Sequence, residues 1–140
     1  MKYISIVYHD HTFSETITDE KLADIIGNVS VWVDDLIESG RHVYSTGLQS
    51  PRTASTIRIN GGAVSVTDGP FAETKEFLGG FTIFEARDMN EAIQTGSRLA
   101  ACCTGTVEVR ALFDPGYDVS DPDDQRLVRA MRIATERAAK

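Results

Sequence analysis

Long apolar runs are absent from this chain of 140 residues, and none approaches the roughly 20 residues that a membrane-spanning helix needs. Basic residues are also scarce, since 14 Lys and Arg stand against 21 Asp and Glu and give a formal net charge of -7. That balance argues against a nucleic-acid partner, whose binding surface needs clustered basic side chains. We therefore expect a single domain that binds neither membrane nor nucleic acid.

Cysteine is rare as well, because only the adjacent Cys102 and Cys103 occur. Sequence neighbours seldom meet disulfide geometry, and no further Cys/His pair stands at zinc spacing. Two reduced, partly buried thiols are expected, with no metal and no cofactor. The sequence also lacks a phosphate-binding glycine loop, a serine-nucleophile elbow and a dinucleotide fingerprint. The first residues alternate and are too short for a signal peptide, which favours a cytoplasmic location.

The first third of the chain predicts a strand, a long helix and a second strand. Residues 2–8 alternate with period two, and residues 41–48 are compatible with a strand. Between them, Thr18 is a candidate N-cap and Gly40 a candidate C′ residue of a helix. Trp32 falls beside the apolar stripe of this helix, which predicts packing at its margin or in a subunit contact. The stripe consists of Leu22, Ile25, Ile26, Val29, Val33, Leu36 and Ile37.

The next two thirds predict a hairpin, a strand, a helix, a strand and a separate terminal helix. Asn60-Gly61-Gly62 is a hairpin turn signal between two short β-compatible runs, and Asp88 with Glu91 is a capping pattern. The predicted hairpin covers residues 55–59 and 63–67, and the later elements cover residues 81–86, 88–101 and 106–111. This order predicts an α+β fold, a split βαβ arrangement with both helices on one face of an antiparallel sheet and an inserted β-hairpin.

The end of the chain has a different composition. Asp114-Pro115-Gly116-Tyr117 indicates a linker, and Asp121-Pro122 signals the start of an appended C-terminal helix. Leu127, Val128, Met131 and Ala134 or Ala138 line one side of that helix. We expect a domain over residues 1–112, then a linker and helical extension over residues 113–140 that covers the core or contacts a partner.

The most irregular stretch is residues 68–76, DGPFAETKE, followed by the adjacent Gly79 and Gly80. Its proline and glycines favour a tight turn and close backbone approach. A carboxylate at Asp68 near Lys75 can act as a general base beside an anion-stabilising cation, so both are catalytic candidates. The alternative is structural, with Asp68 bonding its own turn and Lys75 paired with an acid. Binding candidates here are Pro70, Phe71, Glu73, Thr74 and Glu76, with a structural role favoured for the two glutamates.

Residues 68–76 together with Gly79-Gly80-Phe81 resemble the signature of the DGPF proteins, a branch of the YCII-related superfamily. Looser similarity covers roughly the first 111 residues, from Met1-Lys2-Tyr3 to Val107-Glu108-Val109-Arg110. The resemblance implies a ferredoxin-like α+β subunit that pairs into a dimeric α/β barrel, with a cleft in each subunit. It implies no established reaction.

Strand alternation predicts which side chains face the barrel interior. In residues 106–111 it leaves Glu108 and Arg110 opposite the helices, and by the same logic Ile4 and Ile6 face the helices while Ser5 faces the open side. Ser5, Glu108 and Arg110 are therefore binding candidates. A mutual or intersubunit ion pair is the favoured alternative for Glu108 and Arg110.

His9 and His11 flank Asp10 where the first strand ends. They can be metal ligands or an acid/base pair, although solvated or turn-stabilising histidines are the favoured interpretation. Some related YCII-type proteins carry a histidine on the long helix, proposed to pair with an aspartate. Residues 20–40 contain no histidine here, and Asn28 cannot exchange protons, so that dyad does not transfer.

Two functional hypotheses follow. The first is a homodimer that binds a small organic molecule in its cleft, as a binder or as a cofactor-independent, isomerase- or lyase-like enzyme. The second is a regulatory or accessory protein, because DGPF-type proteins resemble products often encoded beside extracytoplasmic-function sigma factors. That hypothesis predicts a protein partner docked on the C-terminal helix, and fold alone cannot decide between the two.

Overall fold

A computed structural model of the chain describes residues 1–113 and 119–139. The predicted linker residues Asp114, Pro115, Gly116 and Tyr117 lie outside the described residues. The elements are, in order, β1 (Lys2–Asp10), α1 (Phe13–Thr16), α2 (Asp19–Glu38), β2 (His42–Gly47), β3 (Ser55–Asn60), β4 (Ala63–Asp68), β5 (Glu76–Glu85), α3 (Met89–Cys102), β6 (Thr106–Ala111) and α4 (Pro122–Ala138). The predicted mixed α+β architecture is confirmed.

The main sheet has the strand order β2-β5-β1-β6, and all its neighbouring strands are antiparallel. Helices α2 and α3 lie side by side on one face, where the indole Nε1 of Trp32 donates to the carbonyl of Thr95 at 3.1 Å. This is the order of a ferredoxin-like split βαβ fold. Strands β3 and β4 form the inserted hairpin, a separate two-stranded sheet. Among the described residues, no helix combines the length and the apolar character needed to cross a membrane.

The helix ends follow local sequence chemistry. The side chains of Thr18, Asp88 and Asp121 accept hydrogen bonds from backbone N–H groups in the first turns of α2, α3 and α4. After α2, Gly40 has a φ of +69°, and the N–H of Arg41 returns to the last turn of the helix. The predicted N-caps and the predicted C′ glycine are confirmed.

The core contains Trp32 together with part of the predicted stripe, since Ile25 and Leu36 are buried and Val29 and Val33 pack against the core cluster. Trp32 is 2% exposed, and its ring meets the Phe84 ring edge-on with centroids 6.5 Å apart. The ring of Tyr3 stacks on the same Phe84 ring with centroids 6.4 Å apart. Ile26 and Ile37, which belong to the predicted stripe, are 58% and 54% exposed. The marginal position predicted for Trp32 is wrong because α2 packs against α3 as well as the sheet, which rotates its buried face toward α3.

The orientation predicted for β1 is wrong, because the two faces of the strand are exchanged. Tyr3 and Ser5 are buried beneath the helices, and Ile4 and Ile6 point to the open face. A Cβ added to Gly96 of α3 would lie 3.4 Å from the Ser5 Oγ and 2.5 Å from Cγ2 of Val109, so α3 lies close to the sheet at these two residues. Alternation divides a strand into two faces, but this close approach decides which face is covered.

The two central glycines lie inside β5, which begins five residues earlier than the predicted strand at residues 81–86. The pairing of β1 and β5 shifts register between Val7 and Tyr8, so Gly79 lies in a bulge. A Cβ on Gly80 would lie 2.8 Å from the Thr46 carbonyl oxygen. The expected close backbone approach at these glycines is confirmed.

Candidate functional site

A cavity of about 460 Å³ lies between α2 and the sheet. Its volume falls within the range of small-molecule sites, and its lining is mostly apolar, as such sites require. The large apolar residues of the lining come from β1, α1, α2, β5 and α3 and are Val7, Phe13, Leu22, Ile25, Ile26, Val29, Val33, Phe81 and Leu99. The cavity can therefore hold an organic molecule of modest size.

Three glycines keep side chains out of this space on the sheet side. Gly47, Gly79 and Gly80 all line the cavity. A Cβ on Gly79 would overlap Cδ2 of His9, and one on Gly80 would press on the β2 backbone. The glycine pair that marks the sequence thus belongs to the cavity, although the loop before it does not.

His9 is the ionisable side chain at the β1 end of the cavity. Its ring stacks on Phe13 with centroids 4.2 Å apart and lies 6.0 Å from the ring of Phe77. The Nδ1 atom is buried and has no hydrogen-bond partner among the described residues. Burial lowers the pKa of His9 below its usual 6.5, because the charged imidazolium loses hydration. The imidazole is therefore neutral at neutral pH.

The favoured interpretation of the two histidines holds for His11, whereas His9 is half-buried and stacks on Phe13. His11 is exposed, and its Nδ1 lies 3.2 Å from the carbonyl oxygen of Lys75, which stabilises the turn after β1. His9 shares the helix-covered face of β1 with Tyr3 and Ser5. The alternation of β1 places His9 on the same face as Tyr3 and Ser5. Because that face was predicted to be open, the sequence did not predict that His9 lies beneath the helices.

The hydroxyl groups of Ser45 and Thr82 form a second polar spot, where β2 and β5 line the cavity. Ser45 donates to the Oγ1 of Thr82 at 3.0 Å, and the Nε2 of His42 lies 2.8 Å from the Ser45 Oγ. The Cys103 thiol also lines the cavity, and burial raises its pKa, so it stays protonated near neutral pH. Asp34 is the charged residue in the lining, and among the described lining residues none is Lys or Arg.

The two predicted catalytic residues lie elsewhere. Asp68 ends β4 opposite Ser55 and is exposed. Lys75 is exposed, and its carbonyl accepts the N–H of His11 at 3.2 Å. In residues 1–113 and 119–139, no ion pair includes Asp68, Lys75 or the exposed Glu73, and none of the three lines the cavity.

The loop itself is tied to the inserted hairpin. Arg58 donates through Nη2 to the carbonyl of Phe71 at 3.1 Å, and the Thr56 hydroxyl donates to the carbonyl of Gly69 at 2.8 Å. Pro70 is exposed, and the Phe71 ring is 75% exposed. These contacts connect the start of the loop to β3 on the surface of the protein.

The remaining binding candidates are dispersed. The Thr74 hydroxyl donates to the carbonyl of Glu76, whose Oε1 accepts from Thr106 at 3.3 Å. Ser5 is buried beneath α3, and its Oγ has no hydrogen-bond partner in the described part of the chain. On the open face of the sheet, Glu108 and Arg110 form an exposed ion pair with a separation of 4.0 Å between Oε1 and Nη1. The structure does not bring these residues together with the cavity.

Neither thiol is in a disulfide, as expected, since Cys102 and Cys103 are both free and half-buried. Among the described residues, no group of three His, Cys, Asp or Glu side chains is arranged to hold a metal ion.

Comparison with known proteins adds a family. A family model for the YCII-related domain matches residues 1–115. An uncharacterised protein of Rhizobium meliloti (strain 1021) is 32% identical over 120 residues, which cover 83% of this chain and 97% of that protein.

Proposed function

The chain belongs to the YCII-related domain family, and we propose that it binds a small, uncharged and largely apolar organic molecule in the cavity between α2 and the sheet. The observation that carries this proposal is the cavity of about 460 Å³, whose lining is apolar except for a few polar groups at its ends. Burial of apolar ligand surface in such a site supplies most of the binding free energy, and the polar groups set orientation.

The charges of the lining support an uncharged ligand. No Lys or Arg side chain is among the described lining residues, and Asp34 is acidic. A carboxylate in this cavity would lose hydration without gaining a counterion. Organic anions are therefore disfavoured as ligands of this cavity.

If the protein is an enzyme, the cavity supplies His9 and Cys103 as groups able to exchange protons, which suits cofactor-independent isomerase- or lyase-like chemistry. Both are neutral near neutral pH, because burial lowers the pKa of His9 and raises the pKa of Cys103. A catalytic role for Asp68 and Lys75 stays a prediction, and it requires a second site on the exposed loop.

We also propose a homodimer that buries the open face of the sheet. Ile4, Ile6 and Ile83 lie on that face, beside Tyr44, which is 54% exposed and 6.1 Å from the ring of Phe81. A sheet covered by helices on one side and carrying these apolar side chains beside the Glu108–Arg110 ion pair on the other favours a cover, and a second copy supplies a complementary surface. A cytoplasmic location stays a prediction, supported by the two free thiols.

The regulatory alternative stays a prediction as well. Helix α4 leaves Leu127 and Ile133 45% and 49% exposed, which supports docking of a protein partner there. The cavity lining is the stronger evidence, because it defines a site with both volume and polar anchors.

A matched pair of helix variants tests the cavity. Val29→Phe fills part of the cavity, whereas Val31→Phe makes the same change on a 62% exposed position of α2. We expect uncharged aromatic compounds to raise the unfolding midpoint of the wild type and of Val31→Phe by a few degrees, and not that of Val29→Phe. Equal shifts in both variants, or no shift with any compound, would refute the proposed site.

A further inference from the structure

We infer that His9 carries its proton on Nε2 and donates a hydrogen bond from that N–H to an acceptor atom of the ligand, such as a carbonyl oxygen. The inference rests on the proposed function, since it names the ligand class of the same cavity. It goes further in assigning one atom as the specificity determinant: uncharged hydrogen-bond acceptors are selected over both hydrocarbons and anions.

Packing fixes the imidazole ring in one place. The ring stacks on Phe13 and lies between two backbone positions that have no side chain, Gly79 of β5 and Gly105 just before β6. A Cβ on Gly105 would lie 3.1 Å from Nδ1, while one on Gly79 would overlap the Cδ2 edge and lie 3.0 Å from Nε2. The Nδ1 edge therefore faces the start of β6, and the Nε2 edge faces Gly79, which lines the cavity.

Hydrogen-bond satisfaction decides where the proton resides. Nδ1 is buried and has no partner in residues 1–113 and 119–139, so an N–H there would be a buried donor without an acceptor, which folded proteins rarely tolerate. A bare nitrogen lone pair at the same position costs less. Nε2 also has no protein partner among the described residues. Unlike Nδ1 it is not fully buried, so it retains contact with solvent. The neutral tautomer with Nε2–H satisfies both observations.

The surroundings keep this imidazole uncharged. The groups around it are Phe13 from α1, Phe77 and Gly79 from β5, and Gly105 before β6, and Cys103 lines the same cavity. Of these only Cys103 titrates, and burial raises its pKa, so no thiolate stabilises an imidazolium. The adjacent Asp10 is occupied by the N–H and hydroxyl of Thr12, each at 2.8 Å. A neutral donor supplies no counterion, so a carboxylate bound here would lose its hydration without ionic compensation, whereas a neutral acceptor has much less hydration to lose.

The second polar spot limits the length of the ligand. Thr82 pairs with Ser5 on β1, and His9 is four residues further along the same strand, which corresponds to about 13 Å. Thr82 already accepts from Ser45, so its own hydroxyl hydrogen is available to a ligand. Both spots favour acceptor atoms, which suits an elongated or fused-ring molecule with a carbonyl or ether oxygen at one or both ends.

The tautomer can be read without any ligand. Long-range proton–nitrogen NMR correlations of nitrogen-15-labelled protein at about pH 7.5 distinguish a protonated ring nitrogen from a bare one. We expect Nδ1 of His9 to be bare and Nε2 to be protonated, with the exposed His11 as an internal reference. A proton on Nδ1, or an imidazolium at this pH, would overturn the inference whatever the cavity binds.

Three compounds of nearly equal shape test the ligand class by calorimetry. 2-Acetylnaphthalene has an acceptor, 2-ethylnaphthalene has none, and 2-naphthoate is an anion. We expect the ketone to bind the wild type about tenfold more tightly than the hydrocarbon, and the anion more weakly than either. His9→Phe keeps the ring packing and should remove the advantage of the ketone, while His11→Phe should retain it.

The outcomes separate the two proposals. Equal binding of ketone and hydrocarbon, or an advantage of the ketone that persists in His9→Phe, would overturn the role of His9 and leave the cavity as an apolar site. No binding of any of the three to the wild type would count against the proposed function and the ligand class together. If His9→Phe does not fold, the wild-type ranking and the tautomer still decide.

Discussion

The close approach of α3 to the sheet predicts opposite effects for the same substitution at two helical glycines. A Cβ at Gly96 in α3 would lie 2.5 Å from Cγ2 of Val109, well inside the roughly 3.5–4.0 Å of a normal carbon contact. A Cβ at Gly27 in α2 would meet no atom within 4 Å. Gly27→Ala therefore gains only helix propensity, while Gly96→Ala gains the same term and forces the core apart.

The magnitudes follow from these two effects. Replacing glycine by alanine in a helix stabilises by about 0.5–1 kcal/mol, and overpacking a core costs about 1–3 kcal/mol. Gly27→Ala should raise the free energy of unfolding by the first amount, and Gly96→Ala should leave it roughly 0–2.5 kcal/mol below the wild type. At roughly 4 °C per kcal/mol, the two unfolding midpoints should differ by several degrees.

Thermal and urea unfolding of the two variants, beside Gly96→Ala/Val109→Ala, form the assay. The rigid, branched Val109 cannot turn away from the added methyl group, so its truncation should remove much of the cost of Gly96→Ala and give a strongly non-additive pair. If Gly96→Ala is as stable as Gly27→Ala, then α3 does not lie this close to Val109 and Ser5, and the assignment of the covered face of β1 fails.

Three further predictions address the site and the assembly. Because the pKa of His9 is lowered in the folded protein, the contribution of neutral His9 to stability is full above about pH 6.5 and is lost as the pH falls through the lowered pKa. The unfolding midpoint of His9→Phe should therefore depend less on pH from 8 to 5 than that of the wild type or His11→Phe. A bound cavity ligand should slow iodoacetamide labelling of Cys103, which lines the cavity, and not of Cys102, which does not, as read by peptide mass spectrometry; equal protection would contradict the site. Ile6→Lys introduces a charge on the open face and should convert the proposed dimer into a folded monomer in light scattering, whereas an unchanged mass would exclude that face as the interface.

Local chemistry could be predicted from the sequence because its partners are only a few residues apart. The cap at Thr18 bonds an N–H three residues later, and Gly40 adopts its positive φ irrespective of what packs on α2. The hairpin turn at Gly61 and Gly62, with φ of +57° and +83°, has the same local origin. The elements and their order follow from such signals, together with periodicity.

Which faces are buried, and which residues therefore form the cavity, is decided by the tertiary structure. The alternation of β1 permits either face inward, and the close approach of Gly96 to Ser5 selects the one that also carries His9. Trp32 becomes the centre of the core because α3 accepts its N–H, a partner 63 residues away. Burial, hydrogen-bond satisfaction and the pKa of His9 all depend on such distant contacts, so the charged loop at residues 68–76 stood out in the sequence while the cavity did not.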